Sequence, residues 1–73
     1  MPNYTFNGAK LKMLLEQRNK EQKELAEAVG VSEAIVSNWC KGYKIPSLPV
    51  AARVAEYLGV TVNDLIIRNT VAG

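Results

Sequence analysis

Histidine is absent from the 73 residues, and cysteine occurs once, at Cys40. No histidine triad, histidine general base or histidine-ligated metal can be assembled from such a chain. A lone cysteine closes no internal disulfide and supplies no CxxC ligand pair, a lack that fits a reducing compartment. Aromatic residues make up only 7% of the sequence, so the core must be mostly aliphatic. No apolar run approaches the ~20 residues of a membrane span. Met1-Pro2-Asn3-Tyr4-Thr5-Phe6 has neither the basic start nor the apolar stretch of a signal peptide. Charge of neither sign dominates, since nine Lys and Arg against seven Asp and Glu give +2. That balance alone selects no partner. The expectation is a cytoplasmic single domain with no cofactor, no metal and no membrane association. Residues 1–7 read as a leader, 8–67 as a helical core and 68–73 as a flexible tail.

What is present is helical spacing, divided by capping residues. Asn7 can accept from the free N–H groups of a first turn, and Leu11, Leu14 and Leu15 share one face of a helix over Gly8–Arg18. Phe6 before the cap and Leu11 after it suit a hydrophobic staple. A second helix spans Gln22–Val29, with Leu25, Ala26 and Val29 inward and Gly30 ending it. Ser32 caps a third, to Lys41, with Val36 and Trp39 inward. Ser47 caps a fourth, Leu48–Leu58, with Pro49 in the first turn, where its missing N–H costs little. The Thr61…Asp64 spacing predicts a short fifth helix through Ile67. Val60, Val62, Ile66 and Ile67 are β-branched and suit a strand, but no partner strand is evident. The expected fold is all-α, with five helices.

The informative stretch is QKELAEAVGVSEAIVSNWCK, Gln22 to Lys41. Ala26 is small where two short helices must approach, Gly30 permits a left-handed turn, and Leu25, Val29, Val31, Val36 and Trp39 form the wedge between them. Such spacing meets the packing requirement of a helix-turn-helix. Together with LLEQRN before it and KIPSLPVAARVAEYLGVTVNDL after it, the chain resembles the Cro/CI-type family of phage repressors and xenobiotic-response-element regulators over residues 8 to 66. The resemblance implies a lambda-repressor-like domain whose third helix enters the major groove of double-stranded DNA.

It also implies roles for matching positions. Asn38 would read a base edge, since its amide can donate and accept at adenine N6/N7. Ser37 would donate to a base or a phosphate, and Ala34 would touch a thymine methyl group. Glu33 could accept from cytosine N4, yet it would also repel phosphates. Gln22, Ser32 and Lys41 would hold phosphates, joined by Lys23 and Lys44 unless these two are only solvated surface charges. Trp39 and Cys40 read as core. The family's usual Arg in the first helix and Glu late in the third are replaced here by Leu15 and Cys40, which removes an ion pair together with its desolvation cost. Lys20 and Glu21 make a poorer start to the second helix than the usual Ser or Thr cap. Ile35 occupies an often polar position, facing either the first helix or the DNA backbone.

The function expected is a sequence-specific transcriptional regulator, a repressor or autoregulator. The alternative is an antitoxin-like or phage accessory module that binds a protein partner, with DNA secondary. An enzyme is disfavoured, because the carboxylates sit at ordinary exposed helical positions with no loop to collect them. A homodimer on a pseudo-palindromic site would use Val62, Leu65, Ile66, Ile67 and Val71, unless Ile66 and Ile67 cover the first helix within one chain.

Overall fold

The computed structural model describes residues 4–68. Along the chain run β1 (Tyr4–Phe6), α1 (Gly8–Gln17), α2 (Gln22–Val29), α3 (Glu33–Lys41) and α4 (Leu48–Leu58), then a 3-10 turn (Val62–Asp64) and β2 (Ile66–Arg68). Side-chain caps start three of the four α-helices. Asn7 Oδ1 accepts from the Lys10 N–H at 3.0 Å, Ser32 Oγ from Ile35 at 3.2 Å and Ser47 Oγ from Val50 at 3.5 Å. The start of α2 has no side-chain cap on Glu21, and Glu24 in its first turn serves the helix dipole instead. Lys20 binds there from outside, 3.9 Å from Glu24 and 5.8 Å from the Tyr57 ring centre. From the end of α1, Arg18 Nε donates to the Leu58 carbonyl oxygen at 2.7 Å, which satisfies a free acceptor at the C-terminus of α4.

Two expectations need correction. The fifth helix is one 3-10 turn followed by a strand, and the missing partner strand lies in the residues read as a leader. β1 and β2 pair antiparallel, with Tyr4 opposite Arg68, Thr5 opposite Ile67 and Phe6 opposite Ile66. The Thr61–Asp64 box exists: Asp64 Oδ2 accepts from both the N–H and the hydroxyl of Thr61, each at 3.1 Å. It nucleates a turn but cannot propagate a helix through β-branched residues that have a strand to join.

The core collects Leu11, Leu14, Leu15, Leu25, Val36, Trp39, Val54, Leu58 and both strand regions through Phe6 and Leu65. Phe6 is 4% exposed and its ring lies 6.3 Å from that of Trp39, tilted by 58°. Leu65 is fully buried, so it belongs to the core and not to a dimer surface. Val62 and Ile66 pack against the core, and Ile67 is about half exposed. Val71 lies outside the described residues. Leu15 is buried and Cys40 packs against the core, and no charged side chain is buried among the described residues. An apolar pair thus stands where the resemblance would have placed an ion pair.

The Asp64 box makes a pH prediction. Hydrogen bonds from the Thr61 backbone and hydroxyl hold the Asp64 carboxyl below the usual carboxylate range. Its folded pKa is therefore lower than its unfolded one. The stabilisation is fully present above the unfolded value of about 4 and disappears as pH falls through the folded value. Melting temperatures of the wild type and Asp64→Ala are expected to differ at neutral pH and converge in acid. A difference that stayed constant into acid would contradict the assignment.

Candidate nucleic-acid interface

The turn between α2 and α3 follows from its residues. Gly30 ends α2 at φ 79°, a left-handed conformation that other residues rarely adopt. The Gly30 and Val31 N–H groups both donate to the Ala26 carbonyl oxygen at 2.9 Å, which turns the chain sharply enough for Ser32 to start the next helix. Ala26, Val29, Val36 and Trp39 are all buried. They fix α3 by its inner face and leave the opposite face free.

That outer face carries Glu33, Ala34, Ser37, Asn38 and Lys41 at the i, i+3, i+4 spacing of one helical stripe. Glu33, Ala34 and Lys41 are exposed, whereas Ser37 and Asn38 are half-buried. Glu33 in the first turn and Lys41 in the last both suit the helix dipole, which gives each a structural role besides any contact with a ligand. Ser32 is exposed, but its oxygen is already engaged as the cap of α3; its hydroxyl proton stays available to an outside acceptor. Ile35 is 39% exposed and flanks the stripe on the helix surface.

Gln22 and Lys23 open α2, the first half-buried and the second exposed. Lys44 lies in the segment after α3 and is exposed. Among the described residues, Lys23, Lys41 and Lys44 enter no salt bridge. Cys40 faces inward from the same helix. Burial pushes its thiol above the ordinary value, against a weaker opposing effect of Lys12, so the thiol stays protonated at neutral pH and behaves as a small apolar residue.

Tyr43 escaped the sequence reading. It is 74% exposed, and its N–H donates to the Asn38 carbonyl oxygen at 2.9 Å, so the ring stands at the very end of α3. An aromatic between a helix-ending glycine and a lysine was the available signal. Among the described residues, no group of three His, Cys, Asp or Glu could hold a metal ion, and no helix is long and apolar enough to cross a membrane.

The arrangement has counterparts in known proteins. A helix-turn-helix family model matches residues 11–65. An uncharacterized HTH-type transcriptional regulator of Methanocaldococcus jannaschii is 36% identical over 58 residues, covering 80% of this chain and 88% of that protein. Among solved structures, the SOS-response transcriptional repressor LexA from Eubacterium rectale superposes with a TM-score of 0.76 at 29% identity, over 90% of this chain and 70% of that one. The biofilm master regulator SinR, solved in complex with DNA, gives 0.71 at 26% identity, over 77% and 90%. With a buried wedge holding two helices across a left-handed turn, and a family match spanning that wedge and its flanks, this chain is a member of the Cro/CI-type helix-turn-helix family of DNA-binding transcriptional regulators.

Proposed function

We propose that the chain is a sequence-specific repressor or autoregulator that reads the major groove of duplex DNA with α3. The observation that carries this reading is the two-sidedness of α3. Val36 and Trp39 lock one face into the core, while Ala34, Ser37, Asn38 and Lys41 share the other. Among the described residues, the Asn38 amide makes no hydrogen bond within the chain, so its donor and acceptor are both available to an adenine edge. Lys41 and Lys44, both exposed, would take phosphates that flank the groove, and the N-termini of α2 and α3 would add backbone donors toward them. Two copies on a pseudo-palindrome would place half-sites about 34 Å apart, one helical turn.

Fluorescence anisotropy on duplexes selected from a randomised pool tests this. Asn38→Ala is expected to cost ~1–3 kcal/mol and relax preference at one base position, whereas Lys44→Ala should weaken all sequences alike. With three phosphate contacts per copy, binding by a dimer should fall with log salt at a slope of about −5. Absence of any preferred sequence in the pool would remove the reading.

A further inference from the structure

Tyr4 lies far from α3 in sequence, yet its hydroxyl donates to the Pro46 carbonyl oxygen at 3.1 Å. Pro46 is buried and closes the segment that leaves α3. At the other end of that segment, the Tyr43 and Lys44 N–H groups both donate to the Asn38 carbonyl oxygen, at 2.9 and 3.4 Å. Among the described residues, no other hydrogen bond from outside the segment reaches residues 43–46. Both ties hold backbone. The side chains of Tyr43 and Lys44 stay exposed, one with a phenol donor and the other with a point charge. Tyr4 is itself fixed by the pairing of β1 with β2, directly opposite Arg68.

We propose that Tyr4 is a positioning residue for DNA binding: by holding Pro46 it fixes the segment that presents Tyr43 and Lys44 to the phosphate backbone. The role rests on the groove-reading function above. A segment tied at both ends loses little conformational freedom when phosphate arrives, whereas an untied one must be ordered at the cost of affinity. Phosphate contacts set register and orientation on the duplex without reading sequence. The effect of Tyr4 should therefore be the same on every sequence.

The test is a double-mutant cycle on the full chain, using a duplex selected from a randomised pool and a scrambled duplex. Tyr4→Phe removes one hydroxyl and is expected to weaken binding to both about three- to ten-fold, the scale of one net hydrogen bond. The salt dependence should become shallower with it. In a Tyr43→Ala/Lys44→Ala background, the same Tyr4→Phe change should leave affinity unaltered, although any shift in melting temperature persists. In the DNA-free protein, Tyr4→Phe should quicken hydrogen exchange of the Tyr43 and Lys44 amides relative to those of Gly30 and Val31. Equal losses of affinity in both backgrounds would show a merely structural role and overturn the proposal. So would unchanged exchange at Tyr43 and Lys44. A wild-type chain that bound no duplex would overturn the groove-reading function and this role together.

Discussion

Phe6→Ala is expected to destabilise the protein by about 3–5 kcal/mol, the range for emptying a buried phenylalanine site. A chain of this size has on the order of 4–11 kcal/mol of total stability, so the substitution removes a large share of it. The side chain is nearly inaccessible, and its ring abuts Trp39. Its loss opens a void beside the residue that anchors the inner face of α3. Were residues 1–7 only a leader, the same change would fall within the ~0.5 kcal/mol typical of an uninvolved surface position. Urea unfolding separates the two cases by the midpoint alone. A midpoint unmoved by Phe6→Ala would refute the core assignment, and a large drop with an unchanged slope would establish it.

Gly8→Ala should also destabilise, against what helix propensity suggests. Gly8 is the first residue of α1, and replacing glycine by alanine in a helix commonly gains up to ~1 kcal/mol. Here the added Cβ would collide with the Trp39 carbonyl oxygen and lie 2.9 Å from that of Cys40. Both obstacles are backbone, so no side-chain rotation relieves them. The last turn of α3 would have to move, at the ~1–3 kcal/mol or more of an overpacked core. The displaced element is the end of the helix that carries Asn38 and Lys41, so duplex affinity should fall with stability. A higher urea midpoint for Gly8→Ala would mean that α1 and α3 do not meet here.

Much of this could be read from the residues. Asn7, Ser32 and Ser47 cap as their chemistry requires, and Gly30 ends its helix, because each acts on neighbours within four positions. The stripe from Glu33 to Lys41 was legible for the same local reason. What escaped was non-local. The Thr61–Asp64 spacing is a genuine cap, but the β-branched residues after it respond to a strand at the opposite end of the chain. Periodicity within a short window cannot show such a partner. Leu65 reads with Ile66 and Ile67 as apolar beyond the needs of a small core and so as part of a dimer surface, whereas the structure buries it fully. Tyr4 and Gly8 gave no pattern because each matters only through distant backbone, Tyr4 at the Pro46 carbonyl and Gly8 at those of Trp39 and Cys40.

The small ribbon of Tyr4–Phe6 and Ile66–Arg68 has a kinetic consequence. Its strands lie at opposite ends of the described chain, so joining them closes nearly the largest loop available, and the entropy of closure rises with loop length. Contacts within and between successive helices need no such closure and form sooner in low-contact-order folds. The ribbon is therefore expected to zip last, after the four helices have brought its ends together. Until it does, the last turn of α3 lacks the Phe6 ring against Trp39. Folding would thus finish at the two ends of the described residues and complete the helix in their middle.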